Sequence, residues 1–371
     1  KGVDSGKLWG FYPERSSSYD LRYEPNDPFY ANQWHLDNYG QKGGTSGIDI
    51  NPQYVWNDYA GDGIIIGVID DGIDYSNPDL SPNFASSVSY DYCDDDSDVM
   101  PSDSDNDGEI DWHGTAVAGI VSAKGNNSLG ITGVSYNSTL SGIRLIADSC
   151  TSSFTSDESK AYALNHRLDA VDIYTNSWGP VDDGKSLGEI GPLSLSALET
   201  GISEGRGSLG SIYVWAAGNG HHNGDNSNKD AYANSRYTIA VGSINWKGER
   251  TDYSESGSNV MLVAPSHNSS DWVDPAIFST DISGSDGHNN TDYLDDMGGT
   301  SASTPMVSGV IGLMLEANPD LTWRDVQHIL VRTSKKVDGS NEGWFKTYEG
   351  RDYNHQYGYG LVDARSAVNL A

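Results

Sequence analysis

Short apolar runs that resemble strands alternate with helical periods along most of this chain. The runs are rich in β-branched residues and have the length of strands buried on both faces. They fall at residues 64–69, 139–146, 172–176, 212–217, 238–244 and 260–264, and helical periods fall at 193–204, 302–316 and 323–332. This order is typical of βαβ units, in which helices cover parallel strands. The sequence therefore predicts an α/β fold with a mainly parallel central sheet.

Length and charge restrict the domain organisation and the partners. The 371 residues show no internal repeat and no linker, so a single domain over residues 1–371 is expected. No apolar stretch is long enough to span a bilayer, and no membrane partner is expected. The 53 acidic and 22 basic residues give a net charge of -31. This charge argues against nucleic acid as a partner and favours cationic substrates and bound cations.

A serine stands at the start of an apolar helical segment, GTSASTPMVSGVIGLMLEANP, which runs from residue 299 to residue 319. The first N–H groups of a helix have no partner within it and can stabilise a negative charge placed there. Pro305 is tolerated in the first turn because it needs no N–H partner. Ser301 is therefore a candidate nucleophile, although a capping role is favoured on this segment alone.

Two further residues change that balance. Asp70 ends the apolar run at 64–69, and the carboxyl end of a parallel strand is where open α/β sheets place their sites. Its alternative role is to cap the next turn. His113 opens a helix of small residues in DWHGTAVAGIVSA, where capping or packing is the alternative. Asp, His and Ser in this chain order form a known arrangement of a hydrolase triad, so the three together favour catalysis.

The motifs around these residues resemble those of a known protease family. DDG, HGT and GTSASTP resemble the three signatures of the subtilisin-like serine proteases. The segments SWGPVDDGK, SIYVWAAGNG, YSE and LEANPDLTWRDVQH resemble the kexin and furin branch, the calcium-dependent proprotein convertases. The resemblance runs from Glu24 to Asp363 and implies a three-layer subtilisin-like fold with helices on both faces of the sheet. It also implies a processed catalytic domain, without the pro-segment and P domain that a precursor can carry.

The resemblance implies catalytic roles for four residues. Asp70 would orient His113, which would take the proton of Ser301 and return it to the leaving amine. Asn219 matches the oxyanion-hole asparagine of the family, and its alternative is a turn asparagine. The implied function is a secreted serine endopeptidase that acts through an acyl-enzyme. A broad-specificity degradative subtilisin and a calcium-bound pseudoprotease that only binds peptides remain alternatives.

The resemblance also implies a preference for peptide and protein substrates with basic residues. The implied substrate-binding residues are Asp71, Asp111, Trp178, Gly179, Asp182, Asp230 and Tyr232. Asp182 and Asp230 match residues that make the P1 pocket negative, and Asp71 with Asp111 would favour a basic P2. Arginine at P1 is expected because its planar guanidinium can donate to several acceptors at once. The alternative for these aspartates is a solvated role on the surface. Lys160 and Gly188 stand where relatives in the family have acidic residues that bind P4. A basic residue at P4 should therefore bring no gain in cleavage.

Calcium is the expected cofactor. Asp103, Asp105 and Asp107 precede Gly108, a spacing that lets carboxylates converge on calcium, although a solvated charge run is the alternative. The family resemblance implies three calcium sites, whose carboxylates would repel one another without metal, so that binding and folding are coupled. The first set is Asp27, Asp79 and Asn127 with the carbonyls of Lys124, Leu129 and Ile131; the second is Asp91, Asp96 and Asp98; the third, beside the substrate pocket, is Asp182, Asp225 and Glu255.

Cys93 and Cys150 are the only cysteines. In an extracellular protein two cysteines suggest one disulfide, and secretion is the expected localisation. Neither position matches the disulfides expected from furin-like enzymes, so the sequence leaves their pairing open.

Overall fold

The central sheet of the protein has seven parallel strands. The structure, a computed structural model, describes residues 22–103, 110–147, 150, 156–269 and 274–371. The strands of the sheet are β1 (Ile65–Asp70), β2 (Tyr90–Asp91), β3 (Thr139–Arg144), β4 (Ile173–Asn176), β5 (Ile212–Ala216), β6 (Thr238–Ile244) and β7 (Val260–Pro265). Their order is β2-β3-β1-β4-β5-β6-β7, and every neighbouring pair is parallel. The predicted mainly parallel sheet is therefore confirmed.

Helices lie on both faces of this sheet. The helices of the described residues are α1 (His113–Ser122), α2 (Asp157–Leu164), α3 (Pro192–Ser208), α4 (Gly299–Ala317), α5 (Trp323–Thr333) and α6 (Ala364–Leu370). Side chains of β1 point alternately to the two faces. Ile66 joins a core cluster with residues of α1 and α4, whereas Ile69 joins a second cluster with residues of α2 and α3. The fold is thus the expected three-layer α/β arrangement.

The strand order creates a crevice beside β1. The sheet extends from β1 through β3 to β2 on one side and from β4 to β7 on the other, so the winding direction reverses at β1. In open α/β sheets such a reversal separates the loops at the carboxyl ends of the strands and leaves room for a site. Asp70, the last residue of β1, lies in register with Arg144, the last residue of β3.

The helix that carries Ser301 is a buried platform. All residues of α4 from 300 to 315 are buried. Gly299 begins the helix with a φ of 72°, a left-handed conformation that favours glycine. Gly309 packs so closely that a Cβ built there would lie 2.5 Å from Val134 Cβ. The small residues of α4 therefore let its backbone approach its neighbours and hold Ser301 on a rigid element.

Two small hairpins and one disulfide complete the described fold. The hairpins pair β8 (Ile277–Thr280) with β9 (Tyr293–Met297) and β10 (Phe345–Lys346) with β11 (Asp352–Tyr353). Cys93, just after β2, forms a disulfide with Cys150, in the segment after β3. Within the described ranges, no helix has the length and apolar character needed to cross a membrane.

Candidate active site

The four residues predicted to act in catalysis stand at the ends of elements that meet beside β1. Asp70 ends β1, and His113 is the first residue of α1. Ser301 lies in the first turn of α4, and Asn219 follows the carboxyl end of β5. β1 and β4 pair in a register that sets Ile69 opposite Asn176. His113 contacts Asp70 and Ser301 contacts Ser177, the residues that follow this pair, so both lie at the carboxyl ends of these two neighbouring strands.

Asp70 and His113 form a hydrogen-bonded pair. The Nδ1 of His113 lies 2.8 Å from Oδ1 of Asp70, whose side chain is only 1% exposed. A carboxylate accepts, so Nδ1 carries the hydrogen and Nε2 is left to accept a proton. Asp71 accepts from the backbone N–H of His113 at 3.1 Å and of Gly114 at 2.7 Å, and so fixes the start of α1. A Cβ on Gly114 would lie 2.2 Å from the carbonyl oxygen of Gly72, which explains the glycine there.

The local charges tune His113. Burial lowers its pKa, but the charge of the Asp70 carboxylate, the hydrogen bond that His113 donates to it and the charge of Asp71 outweigh burial and raise the pKa to about 9. Burial and the charge of Asp70 raise the pKa of Asp71. One ligand atom from each of these three side chains lies within 4.8 Å of the others, an arrangement that could also hold a metal ion. A catalytic pair is the better interpretation, because Nδ1 and both oxygens of Asp71 already have partners.

We expect the acid limb of the kcat/KM profile to lie near the raised pKa of His113, about 9, rather than near the ordinary value. Only neutral histidine can accept the proton of Ser301, so activity should fall as pH drops below this pKa. Asp71→Asn removes one of the charges that raise the pKa and should move the limb to lower pH. Asp320→Asn is the control, because Asp320 is an exposed aspartate in the turn that follows the far end of α4. A native limb near about pH 6.5, the ordinary histidine value, would contradict the expectation.

Ser301 points to the end of β4 in this conformation. Its side chain is 9% exposed, and its Oγ donates to the carbonyl oxygen of Ser177 at 3.2 Å. The hydroxyl of Ser177 donates in turn to the carbonyl oxygen of Ser301 at 3.1 Å. Transfer of the Ser301 proton to His113 therefore requires a rotation about χ1 that exchanges Ser177 for Nε2. Catalytic hydrogen bonds are often made only when substrate is bound.

Asn219 is held so that one amide donor remains available. Its Oδ1 accepts from the backbone N–H of Thr300 at 2.8 Å and from the Thr300 hydroxyl at 3.0 Å. Its own backbone N–H donates to Asp182 at 2.9 Å. The side-chain oxygen is thereby fixed on α4, and the Nδ2 group makes no hydrogen bond with the described residues. Such a preorganised donor is what an oxyanion hole requires.

Three carboxylates cluster behind Asn219. Asp182, Asp225 and Glu255 each place one oxygen within 4.8 Å of the others, as predicted for the third calcium set. Glu255 accepts from the N–H of Gly220 at 2.9 Å with Oε1, while its buried Oε2 has no hydrogen-bond partner. Burial and the neighbouring carboxylates raise the pKa of Glu255 to about 8. A buried, unpartnered oxygen within an all-oxygen donor set fits a hard cation such as Ca²⁺.

Lys229 was not predicted for this cluster. Its Nζ lies 3.0 Å from the carbonyl oxygen of Gly184, to which it donates, and 3.3 Å from Oδ1 of Asp225. The only sequence signal was a basic residue directly before Asp230, which by itself is uninformative. Lys229 offsets part of the negative charge, but it does not reach Glu255 Oε2.

A buried aspartate and an aromatic wall lie next to these carboxylates. Asp230 is 6% exposed, and none of the described residues makes a hydrogen bond to its carboxylate. Burial, Asp182 and Asp225 raise its pKa to about 7. Gly188 forms a parallel bridge with Asp230. Space remains open at Gly179, where a Cβ would meet no atom within 4 Å. These features describe a negative pocket with room for a side chain.

The wall consists of three aromatic side chains in mutual contact: Trp215 and Tyr232 are stacked, and Trp178 meets both of them edge to face. The ring of Tyr232 lies 5.4 Å from Trp178 and 4.6 Å from Trp215, and the two tryptophans are 4.6 Å apart. The indole N–H of Trp215 donates to the carbonyl oxygen of Trp178 at 2.7 Å. Trp215 was not among the predicted substrate-binding residues, although its place in SIYVWAAGNG, shortly before Asn219, indicates that it lies near the site. The wall supplies an apolar surface for the stem of a long side chain.

Lys160 lies on α2, near this wall. Burial lowers its pKa, and the charge of Asp157 opposes that shift. Asp157 accepts from the N–H of Leu193 at 2.8 Å and of Ser194 at 3.0 Å at the start of α3. Ser194 is hydrogen-bonded to Tyr232. Lys160 is thus linked to the aromatic wall through Asp157 and Ser194, and its place in the P4 subsite stays a prediction.

The first predicted calcium set is brought together. Asp79 accepts from the amide of Asn127 at 2.8 Å and from the N–H of Ile131 at 2.9 Å, and the N–H of Lys124 donates to its carbonyl oxygen. Asp27 accepts from the N–H of Asn127 at 3.0 Å. The side-chain oxygen of Asn127 accepts from the backbone N–H of Leu129 at 2.8 Å. To bind calcium with this oxygen, the side-chain amide of Asn127 has to rotate away from Leu129.

The second predicted set lies in one turn, where Asp91 and Asp96 form a backbone bridge and the N–H of Asp98 donates to Asp96, but its three carboxylates do not converge on one point. The carboxylate of Asp91 is 2.7 Å from the buried guanidinium of Arg144, and Asp98 accepts from the hydroxyl of Tyr75. Two groups of three acidic or histidine side chains close enough to hold a metal occur among the described residues, and neither contains Asp91, Asp96 or Asp98. Arg144 was missed because nothing in the sequence showed that β2 and β3 pair at this register. In the D-x-D-x-D-G string, Asp105, Asp107 and Gly108 lie outside the described residues.

Asp111 lies near Asp71 at the entrance to α1. Its N–H donates to the carbonyl oxygen of Ser102 at 3.1 Å, and its charge contributes to the raised pKa of Asp71. The two aspartates predicted to meet P2 are therefore neighbours, and Asp111 is the more exposed of them. Asp71 accepts two N–H groups of α1, so its carboxylate has a structural role beside the one predicted for it.

Comparison with known proteins identifies the family. Residues 61–360 match the subtilase family, Peptidase S8. The chain is 41% identical over 351 residues to "PC3-like endoprotease variant B" of Hydra vulgaris, covering 94% of this chain and 47% of that relative. It is 41% identical over 349 residues to "Kexin" of Saccharomyces cerevisiae, covering 93% of this chain and 40% of the relative. The chain thus spans about half or less of the length of these curated relatives.

A solved structure agrees with the sequence relatives. The Aeromonas sobria serine protease, in complex with its chaperone ORF2, aligns with a TM-score of 0.84 at 27% identity, covering 96% of this chain and 68% of that one. The fold, the family match and the relatives lead to the same assignment. The chain belongs to the subtilase family of serine endopeptidases, in its kexin and proprotein convertase branch.

Proposed function

We propose that this chain is a secreted, calcium-dependent serine endopeptidase that cleaves after basic residues through an acyl-enzyme. The observation that carries the catalytic part is the Asp70 to His113 hydrogen bond beside Ser301, with an Asn219 amide donor left unpaired. The disulfide between Cys93 and Cys150 supports secretion, because disulfides persist in oxidising compartments.

In the proposed reaction, Ser301 turns from Ser177 to His113 and its Oγ attacks the scissile carbonyl carbon while its proton passes to Nε2. Asp70 holds the imidazole through Nδ1 and stabilises the imidazolium. The oxyanion accepts from Asn219 Nδ2 and from the backbone N–H of Ser301. Collapse of the tetrahedral intermediate breaks the C–N bond, and the amine leaves with the proton from His113. Water then attacks the ester, and the same groups act again to release the acid and restore Ser301.

The negative pocket supports a basic P1 residue. A guanidinium in the pocket would give Asp230 the partner that it lacks, and its stem would lie against Trp178 and Tyr232. Exposed Asp111, with help from Asp71, would favour a basic P2. Lys160 near Tyr232 would repel a cation farther along the substrate, so we propose no gain from arginine at P4.

The catalytic proposal is tested by covalent labelling. A fluorophosphonate probe should label the native chain at Ser301 and should not label Ser301→Ala. Ser177→Ala is the control, since it removes a serine that contacts Ser301 but is not the proposed nucleophile. Labelling of Ser301→Ala, or none of the folded native chain, would refute the assignment and favour the pseudoprotease alternative.

We propose Ca²⁺ at the first and third predicted sets, and not at the second. Asp182, Asp225 and Glu255 would hold one ion, and Asp27, Asp79 and Asn127, with the carbonyls of Lys124, Leu129 and Ile131, would hold the other. When bound, Ca²⁺ supplies charge neutralisation and cross-linking. Asp182 also holds the backbone of Asn219, so the third set is connected directly to the proposed oxyanion hole.

Chelation should lower both the melting temperature and the rate. A ligand that binds only the native state, at a hundred times its Kd, stabilises it by about 2.7 kcal/mol per site. Excess chelator should therefore lower Tm by several degrees, and Mg²⁺ should restore it poorly. Asp225→Asn should reduce the effect of chelator, whereas Asp98→Asn, from the unassembled second set, should not. An unchanged melting curve, or calorimetric titration without Ca²⁺ binding, would contradict the proposal.

A further inference from the structure

A surface cavity of about 520 Å³ lies at the β2 edge of the sheet, outside the candidate active site. Six of the residues that line it are Tyr90, Tyr92, Asp95, Glu158, Tyr162 and His166. β2 is two strands from β1, which places the cavity about 10 Å across the sheet from the Asp70 strand. Tyr92 packs with the core cluster of α2 and α3, the same cluster that includes Trp178, Trp215 and Tyr232.

Two carboxylates of the cavity are oriented by tyrosine hydroxyls. The hydroxyl of Tyr90 donates to Oδ1 of Asp95 at 2.7 Å. The hydroxyl of Tyr162 donates to Oε1 of Glu158 at 3.1 Å. In each case the second carboxylate oxygen makes no hydrogen bond to a described residue. The cavity therefore presents two negative groups, each held in place and each with an oxygen available to a ligand.

Aromatic rings form the rest of the wall. The rings of Tyr90 and Tyr92 are 4.8 Å apart, and that of His166 lies 6.1 Å from Tyr90. The Nε2 of His166 donates to the carbonyl oxygen of Val88 at 2.8 Å, so its Nδ1, 3.1 Å from the Tyr92 hydroxyl, accepts. Burial lowers the pKa of His166, which keeps the ring neutral. These rings contribute π surface and no positive charge.

No ion pair to Asp95 or Glu158 forms among the described residues. Arg144 pairs with Asp91 and Asp94, and Arg167 pairs with Asp169. Lys160 lies on the same helix as Glu158, near Asp157. An anion would meet the two carboxylates of this cavity and a chain with a net charge of -31. The ligand that fits is a cation with an apolar stem, which can place its charge at the carboxylates and its methylenes against the rings.

We propose that this cavity is an exosite that binds a lysine or arginine side chain of a polypeptide whose scissile bond lies in the active-site crevice. Helix α2 connects the two places, because Glu158 lines the cavity while the adjacent Asp157 binds the start of α3 at Ser194, which contacts Tyr232 of the aromatic wall. The two places thus share one structural element and lie two strands apart, about 10 Å across the sheet, a span that a few extended residues cover. The role in substrate capture rests on the proposed protease function, but the binding of the cation does not.

The test uses the full chain carrying Ser301→Ala and Asp230→Ala, which prevents cleavage and weakens the P1 pocket. The probes are the peptide acetyl-Gly-Gly-Arg-Gly-Gly-amide and the same peptide with uncharged citrulline in place of arginine. Their Kd values are measured by saturation-transfer NMR titration at low salt. The arginine peptide should bind on the order of tenfold more tightly than the citrulline peptide. Glu158→Gln and Tyr162→Leu should each remove most of this difference.

The matched control is Glu199→Gln. Glu199 lies on α3, outside the cavity, and also accepts from a tyrosine hydroxyl, that of Tyr237 at 3.0 Å. The control removes the same charge and should leave the Kd unchanged. Equal affinities for the two peptides, or equal effects of Glu158→Gln and Glu199→Gln, would overturn the exosite. Thermal melting shows that each variant is folded. Because neither probe is cut, a failure of the proposed protease function would not alter this result.

Discussion

Replacing Asn219 by alanine should lower kcat by about a hundred- to a thousandfold and leave KM nearly unchanged. The Nδ2 donor is held toward the crevice because the amide oxygen is fixed by two hydrogen bonds from Thr300. A donor directed at the developing oxyanion stabilises the transition state more than the bound substrate, so its loss appears in kcat. The measurement is steady-state hydrolysis of a short peptide, with Ser301→Ala as the inactive baseline.

A second substitution distinguishes the two roles of the Asn219 side chain, which are to donate a hydrogen bond to the oxyanion and to hold Thr300 of α4. Asn219→Asp keeps an oxygen that can accept from Thr300 but has no side-chain N–H. If the amide acts as an oxyanion donor, Asn219→Asp should lose as much kcat as Asn219→Ala. Thr300→Val removes one of the two anchoring bonds and should cost much less. A nearly normal kcat for Asn219→Asp would show that the amide only positions α4.

Replacing Asp230 by alanine should reduce the preference for arginine over citrulline at P1 by roughly ten- to a hundredfold in kcat/KM, the range of one charge-assisted hydrogen bond. The native pocket holds this carboxylate buried and without a hydrogen-bond partner, so a guanidinium is its natural counter-charge. Without Asp230, a buried guanidinium loses that partner and pays most of its desolvation cost. The preference is measured with otherwise identical peptides.

The matched control for this prediction is Asp183→Ala. Asp183 is the neighbour of the pocket residue Asp182 in the segment between β4 and α3, but its carboxylate accepts solvent-exposed hydrogen bonds from the N–H groups of Lys185 and Ser186. Its loss should leave P1 selectivity unchanged. The same peptide series, with arginine or leucine at P4, tests the role of Lys160. Unchanged selectivity in Asp230→Ala, or a strong gain from arginine at P4, would show that the subsites are assigned wrongly.

Much of the fold could be predicted because local patterns determine it. Buried β-branched runs and helical periods gave both the elements and the parallel sheet, and the carboxyl end of β1 placed Asp70 at the strand-order reversal. The proximity of Asp182, Asp225 and Glu255, which lie far apart in the sequence, came from the family resemblance and agrees with the structure.

The remaining features depend on side-chain geometry that a linear pattern does not contain. The guanidinium of Arg144 pairs with Asp91, so a set that the family resemblance assigned to calcium contains an ion pair. The hydrogen bond of Ser301 to Ser177 depends on one rotamer. The upward shift in the pKa of His113 comes mainly from Asp70 and further from Asp71, which was expected to meet substrate rather than the amino terminus of α1.

The disulfide and the buried ion pair lie at the same edge of the sheet, so two interactions that need no metal hold this edge. Cys93 is two residues beyond Asp91, so one short segment is fixed to the region of β3 both by sulfur and through Arg144. A thiol reductant should therefore weaken the β2 edge, whereas a chelator should weaken the two proposed calcium sites, and the two treatments together should lower the melting temperature more than either alone.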